Sequence, residues 1–316
     1  MYWQLVDGLG AKFAAIQVLS DDPSLPWELV RPARADGSER QDFLALDYEM
    51  ARWPLGESGS RPPAQHIRVE KLAVIAPAYT GDRSLPAANA ELHALERMST
   101  FVKVRGDYDA VRQLASNPPE GIVHFAGHGA VLENGGVATF AILLENGRQM
   151  EPATWQDLAG TKAATHPLYF FNACVVGQAR RFRNDVDGWA PALLGAGGAG
   201  YIGALSPVGD TTAAKFAVEF YRRVQREAGG GSSANAAQVL METRREVFAA
   251  TKDPTAPIWD QCAIAPHRPL TASLADTSFF HLYAKSLEVN SPNLSHSIVG
   301  RKKAALPRRK REGLSH

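Results

Sequence analysis

Two apolar stretches decide the fold of this chain: Gly121-Ile-Val-His-Phe-Ala-Gly-His-Gly129 and Tyr169-Phe-Phe-Asn-Ala-Cys174. Each is an apolar run that stops at small or polar residues, which predicts a buried β-strand. The first strand ends near His128 and the second ends near Cys174. If the two strands are parallel, both residues leave the same carboxyl edge, where open α/β sheets place their active sites. A thiol and an imidazole at that edge can form a nucleophile–base pair.

The sequence around these stretches alternates between strand and helix patterns. It predicts strands over 71–79, 101–106, 121–129, 166–174, 200–208 and 256–266. Helices are predicted over 85–98, 107–115, 153–159, 187–197, 210–228 and 233–250. Asn146-Gly147 between two apolar stretches predicts a β-hairpin. The alternation indicates an α/β fold, a mostly parallel sheet with helices on both faces.

Three regions are expected along the chain. Residues 1–66 form an N-terminal β-containing module that ends in a Pro-, Gly- and Ser-rich linker. Residues 67–270 form the core, and residues 271–316 form a C-terminal extension. The last 17 residues, 300–316, hold seven Lys or Arg, so this tail is expected to be disordered and solvated. Contact with nucleic acid or an acidic partner through the tail is the alternative, although interleaved aromatic residues for base stacking are missing.

Composition is typical of a soluble α/β protein with a sizeable core. The chain has 316 residues, of which 45% are hydrophobic and 21% charged, and its net charge is +1. Such a charge gives no global attraction to nucleic acid or membranes. Two cysteines, Cys174 and Cys262, are too few for a disulfide scaffold. With neither a signal peptide nor a membrane span expected, the sequence predicts a cytoplasmic protein.

Four segments together resemble one known family. They are HFAGHG (124–129), NAC (172–174), the Gly-rich segment 195–224 and LPWELVRP (25–32). In this combination the chain, over about residues 15–265, resembles the CHAT family of caspase-like cysteine proteases. The resemblance implies a caspase-like fold, an N-terminal module in which residues 27–29 are packing residues, and hydrolysis of peptide bonds. It does not imply a particular substrate.

The resemblance also implies roles for individual residues. Cys174 corresponds to the nucleophile and His128 to the general base, and the backbone amides of Gly129 and Cys174 correspond to the oxyanion donors. The alternative for Cys174 is an inert thiol in a buried strand. His124, four residues before His128, is expected to be a core residue or to support the site.

Asp82, Asp210 and Asn172 are the candidate substrate-binding residues. Asp82 follows the first core strand and Asp210 follows the strand at 200–208, so either carboxylate is a candidate to bind a basic P1 side chain. The alternative for Asp210 is an ordinary helix N-cap. Val175 and Val176 stand where many CHAT sequences carry Glu, Ser or Thr, which leaves the polarity of the pocket open.

No metal or cofactor is expected. A His124/His128 metal pair is disfavoured because Phe125 stands where the helical metalloprotease motif requires Glu. Residues 195–200 fit G-x-G-x-x-G literally, but they close a predicted helix and precede a strand, whereas a dinucleotide site needs the reverse order.

The resemblance to the CHAT family implies a cysteine endopeptidase that a sensor or activator protein switches on in bacterial defence or cell death. Its protein substrate is expected to be a pore-forming protein or another effector. The alternative is a catalytically silent CHAT scaffold that binds partners. Residues 177–187 are rich in Arg and predict an exposed loop. It is a candidate for self-cleavage after Arg180, Arg181 or Arg183, or for docking of a partner, and the alternative is a plain surface loop.

Overall fold

The computed structural model describes most of the chain. Described are residues 2–20, 22, 25–54, 66–98, 100–134, 137–160, 165–182, 185–228, 233–251, 280–283 and 288–290. The strand predicted over 256–266, Cys262, Arg183 and the basic tail lie outside the described residues.

The described helices are α1 (Tyr2–Leu9), α2 (Leu44–Asp47), α3 (Pro86–Leu95), α4 (Tyr108–Ser116), α5 (Pro152–Ala159), α6 (Trp189–Gly195), α7 (Asp210–Glu227) and α8 (Ala236–Thr251). The described strands are β1 (Ala15–Ser20), β2 (Glu49–Pro54), β3 (His66–Arg68), β4 (Lys71–Ile75), β5 (Phe101–Val104), β6 (Gly121–Ala126), β7 (Gly129–Asn134), β8 (Val137–Leu143), β9 (Gln149–Met150), β10 (Leu168–Asn172), β11 (Ala179–Phe182), β12 (Asp185–Gly188), β13 (Gly200–Ala204), β14 (Ser233–Asn235), β15 (Phe280–Tyr283) and β16 (Glu288–Asn290).

A central sheet of eight strands organises the molecule, in the order β1-β2-β15-β13-β10-β6-β4-β5. Every neighbouring pair is parallel except β13 and β15. The prediction of a mostly parallel sheet is therefore confirmed. The strand beside β13 comes from residues 280–283, within the predicted C-terminal extension.

Helices cover both faces of the sheet, also as predicted. Phe170 of β10 faces α7, with its ring 5.2 Å from that of Phe220. Its neighbour Phe171 faces the other way, with its ring 5.0 Å from that of Trp189 in α6. This alternation is what the two-residue period of a strand dictates. Because both faces are buried, β6 and β10 read as continuous apolar runs.

The strands of the predicted N-terminal module extend the same sheet, since β2 pairs with β15. A buried ion pair ties this part of the chain together. The Arg52 Nε donates to Glu28 Oε1 at 2.8 Å, and the Arg52 Nη2 donates to the carbonyl of Leu25 at 2.7 Å. The predicted packing segment 27–29 thus supplies a buried carboxylate, while Trp27 and Leu29 pack against an apolar cluster formed with α2.

Antiparallel strand pairs outside the central sheet include β7 with β8, and two further pairs fall on stretches for which the sequence made a prediction. The first joins β8 to β9 through Asn146-Gly147, where Asn146 has φ 58°, and it confirms the predicted hairpin. The second joins β11 to β12 within residues 177–187, so the prediction of an exposed loop there is wrong. Arg180 pairs across this hairpin with Asp187, at 2.6 Å from Nη2 to Oδ2. The pairing of charged residues replaces the apolar alternation that a strand prediction relies on.

Candidate active site

The two strands that end near His128 and Cys174 are neighbours in the sheet. β6 and β10 pair in parallel, with Ala126 opposite Asn172. His128 and Cys174 each lie two residues beyond this pair, so both leave the same edge at the same level. The sequence predicted this arrangement, and the register of the two strands supplies it.

A cavity of about 140 Å³ opens at this edge, between the strand ends and the first turns of α3 and α7. Its lining residues are Leu85, Ala88, Glu91, Ala126, Gly127, His128, Asn172, Ala173, Cys174, Val208, Asp210 and Ala213. The lining includes both predicted dyad residues, two carboxylates and one amide. Neither Lys nor Arg is part of it.

The Cys174 thiol is free and partly buried. The backbone N–H of Val208 donates to its Sγ at 3.4 Å, and Sγ lies 3.6 Å from the Val208 carbonyl oxygen. The sulfur is therefore held against the backbone of Val208, just before α7.

The chain turns sharply directly after Cys174. Val175 has φ 57°, a left-handed conformation that is rare for a β-branched residue and costs conformational energy. Gly177 N–H donates to the carbonyl of Ala204 at 2.7 Å, and a Cβ on Gly177 would lie 2.4 Å from the carbonyl oxygen of Gly203. Contacts with β13 therefore hold the turn that carries Cys174.

The His128 ring is oriented by a backbone carbonyl. Its Nε2 lies 2.8 Å from the carbonyl oxygen of Arg83. Because a carbonyl can only accept, Nε2 carries the proton, and this assignment follows from the partner. In the neutral ring, Nδ1 is then the nitrogen that can accept a proton. No hydrogen bond joins the ring to the Cys174 thiol among the described contacts, and catalytic hydrogen bonds are often long before substrate binds.

Gly129 packs directly against Cys174. A Cβ added to Gly129 would lie 2.0 Å from the Cys174 carbonyl oxygen, so only glycine fits here. The backbones of the two predicted oxyanion donors are therefore side by side.

The three predicted substrate-binding residues lie in different places. The Asp210 Oδ2 and Oδ1 accept hydrogen bonds from the Ala87 and Ala88 amides at 2.7 and 3.1 Å. Asp210 is thus a cap, but of α3 rather than of its own helix. Asp82 is exposed, in a short 3-10 turn at Gly81–Arg83, and does not belong to the cavity lining.

Asn172 is 4% exposed and lines the cavity. Its Nδ2 donates to Glu91 Oε2 at 2.8 Å and to the carbonyl of Ala213 at 3.0 Å. Both partners only accept, which fixes the orientation of the amide. The Asn172 Oδ1 is buried and has no hydrogen-bond partner among the described residues.

Glu91, which the sequence analysis missed, joins the two strands that carry His128 and Cys174. Its Oε1 lies 2.6 Å from His124 Nε2 on β6, and it accepts from Asn172 on β10. His124 is fully buried, as predicted, and its Nδ1 lies 3.1 Å from the Tyr221 hydroxyl. Burial raises the pKa of Glu91 most strongly, while its contacts with His124 and Asn172 lower that pKa. A carboxylate in α3 thus bridges the two strands below the cavity.

Within the described residues, no group of three or more His, Cys, Asp or Glu side chains is placed to hold a metal ion. None of the described helices combines the length and the apolar character needed to cross a lipid bilayer.

Comparison with known families now adds to this geometry. A model of the CHAT domain matches residues 22–278, more than half of the chain. The chain belongs to the CHAT domain family. A search of curated proteins found no match.

Solved structures share the fold at low sequence identity. A complex of the RgpB pro- and mature domains of Porphyromonas gingivalis is 13% identical with a TM-score of 0.56, covering 90% of this chain and 67% of that chain. The Arg-specific cysteine proteinase gingipain R (RGPB) is 13% identical with a TM-score of 0.55, covering 92% and 66%. Separase of Saccharomyces cerevisiae, in complex with securin, is 15% identical with a TM-score of 0.48, covering 78% and 14%. This CHAT chain thus spans only a small part of separase, and its fold is caspase-like.

Proposed function

We propose that this CHAT protein is a cysteine endopeptidase with Cys174 as nucleophile and His128 as general base. The observation that carries the proposal is the shared cavity. Two neighbouring parallel strands deliver a thiol and an imidazole to one edge at the same level. Membership of the CHAT family and the caspase-like fold support the same chemistry.

In this mechanism the Cys174 thiolate attacks the scissile carbonyl and forms an acyl-enzyme, and water then releases the product. His128 takes the thiol proton through Nδ1 and returns a proton to the leaving amine. The Arg83 carbonyl keeps the other ring nitrogen protonated and so fixes the tautomer. The amides of Gly129 and Cys174 stabilise the oxyanion, a contribution of about 2.7–4 kcal/mol for each donor.

The substrate is a protein with a basic residue at P1. The cavity lining contains two carboxylates, Asp210 and Glu91, and the amide of Asn172, with His128 as its only basic side chain. Asp210 keeps a lone pair on each oxygen for a ligand although both oxygens accept from α3. Asp82 is exposed nearby and would contact residues outside the cavity. A protease of similar fold, gingipain R, is described as Arg-specific.

The proposed setting is bacterial defence or cell death in the cytoplasm. A sensor or activator protein would switch the enzyme on, and the substrate would be a pore-forming or other effector protein. Nucleic acid would act only indirectly or through the basic tail, at residues outside the described part.

A second candidate is a catalytically silent CHAT scaffold. Within the part of the chain that the structure describes, the His128 ring bonds to the Arg83 carbonyl and the Cys174 thiol to the Val208 backbone, and no hydrogen bond joins ring and thiol; this separation favours the scaffold.

Labelling with a peptide electrophile that ends in arginine separates these candidates. The endopeptidase proposal predicts a single adduct on Cys174, mapped by mass spectrometry, and its loss in His128→Ala. Purified Cys174→Ala should have no peptidase activity and an unchanged circular dichroism spectrum. An unlabelled Cys174 in the presence of every activator tested, or full turnover by Cys174→Ala, would leave the scaffold.

A further inference from the structure

Tyr79 follows β4 and contacts His128 through both its ring and its hydroxyl. The two rings meet edge to face, with centroids 4.6 Å apart and planes at 63°. The Tyr79 hydroxyl accepts a hydrogen bond from the backbone N–H of His128 at 3.1 Å. It donates one to the carbonyl of Leu143 in β8 at 2.6 Å.

These bonds close a cycle around His128. The Leu143 N–H donates back to the carbonyl of His128 at 2.9 Å. Both backbone polar groups of His128 therefore have a partner. Its N–H donates to the Tyr79 hydroxyl, and its carbonyl accepts from Leu143, the residue to whose carbonyl that hydroxyl donates. A single side-chain oxygen thus links the backbone of His128 to β8.

Gly127 shows how closely the hydroxyl approaches the chain. A Cβ on Gly127 would lie 2.5 Å from the Tyr79 hydroxyl oxygen, so a larger residue would displace it. The Gly127 N–H also donates to the carbonyl of Asn172, two residues before Cys174, at 3.2 Å. Burial raises the pKa of Tyr79 to about 12, so the hydroxyl keeps its proton and its donor role at neutral pH.

We propose that Tyr79 is a positioning residue that holds His128 in place for proton transfer with Cys174. This inference rests on the proposed function. Arg83, four residues later in the same connection, holds the ring nitrogen of His128. One stretch of chain after β4 therefore fixes the imidazole at both its backbone and its ring. Rigid placement of a base matters because a misplacement of about 1 Å can cost a hundredfold in rate.

Tyr79→Phe tests the hydroxyl while keeping the ring contact. On a peptide with arginine at P1, we expect kcat to fall about tenfold, with KM within about twofold of wild type. Gly127→Ala crowds the same hydroxyl from the other side and also crowds the Phe125 ring, which its Cβ would approach to 2.7 Å, so kcat should fall at least as far. Tyr108→Phe is the matched control. Tyr108 lies in α4 with the Arg148 guanidinium over its ring, so removing its hydroxyl should leave kcat unchanged.

The pH dependence of Cys174 alkylation by iodoacetamide supplies a readout that needs no peptide substrate. We expect the pH at which the alkylation rate rises, the alkylation step, to depend on the imidazole of His128, because that ring can take the thiol proton. Tyr79→Phe should move the alkylation step in the same direction as His128→Ala does. If Tyr79 had a purely structural role, Tyr79→Phe would lower the denaturant concentration at the midpoint of unfolding without changing the pH of the alkylation step.

The two proposals fail in different ways. If wild type cleaves no peptide but the alkylation step depends on His128 and Tyr79, positioning stands and the endopeptidase proposal fails. If Tyr79→Phe and Gly127→Ala keep both kcat and the wild-type alkylation profile while His128→Ala changes them, the positioning role is overturned. It is equally overturned if His128→Ala leaves the alkylation profile unchanged.

Discussion

Replacing Glu91 should test whether one buried carboxylate holds the two strands of the site together. Glu91 is 2% exposed, and it contacts His124 Nε2 at 2.6 Å and Asn172 Nδ2 at 2.8 Å. Glu91→Ala leaves both buried nitrogens without this partner. Each such loss costs about 1–3 kcal/mol, so we expect a decrease of about 2–6 kcal/mol in the free energy of unfolding. That is a large part of the 5–15 kcal/mol typical of a domain.

Urea unfolding followed by circular dichroism measures this decrease. Glu96→Ala is the matched control, because Glu96 directly follows α3, is exposed and pairs with the exposed His93 three residues earlier. An exposed pair of this kind contributes less than about 1 kcal/mol. A Glu91→Ala protein that unfolds at the same urea concentration as Glu96→Ala would refute the bridging role.

The pH dependence of the Glu91 effect has a definite sign. Burial raises the pKa of Glu91 above 4.5, so the folded state retains this proton to a higher pH than the unfolded chain. The stability that the protonated group contributes is complete below about pH 4.5 and is lost as the pH rises through the folded-state pKa. Glu91→Gln cannot ionise. Wild type should therefore lose stability relative to Glu91→Gln as the pH rises from about 4.5, and the opposite slope would contradict the argument.

Three further predictions follow from individual contacts. Glu28→Gln removes the charge that compensates the buried Arg52, so the free energy of unfolding measured in urea should fall by about 3–5 kcal/mol. A decrease under about 1 kcal/mol would show that the ion pair is not essential for stability. Gly129→Ala should abolish activity or folding, because its Cβ would lie 2.0 Å from the Cys174 carbonyl oxygen. Gly209→Ala is the control: its Cβ would meet open space, so its free energy of unfolding should stay within about 0.5 kcal/mol of wild type. Equal effects of the two changes would refute the packing argument. Asp210→Asn should lower kcat/KM for arginine at P1 about tenfold or more relative to alanine at P1, and an unchanged ratio would exclude Asp210 from the specificity pocket.

Much of the fold could be predicted because its signals are local. The apolar runs of β6 and β10, and the start of the helix predicted over 107–115, depend on residues within a few positions of one another. Asp107 does accept from the Ala110 amide at 2.9 Å, as a cap should. The alternation of strands and helices then allows few topologies, so the placement of His128 and Cys174 at one sheet edge was within reach of sequence reasoning.

The sequence by itself determined which reactive side chains lie at the strand ends, because the local pattern shows one strand that stops at Cys174 and another that stops near His128. Only the tertiary structure decided what surrounds them. Glu91 meets His124 across 33 positions, Tyr79 meets His128 across 49, and Asp210 caps a helix 123 positions earlier. Likewise, the Arg-rich segment after Cys174 forms a hairpin in which Arg180 pairs with Asp187 across the two strands. Such contacts arise when separate elements pack against each other, and no periodicity or cap signal within one element records which partner it will meet.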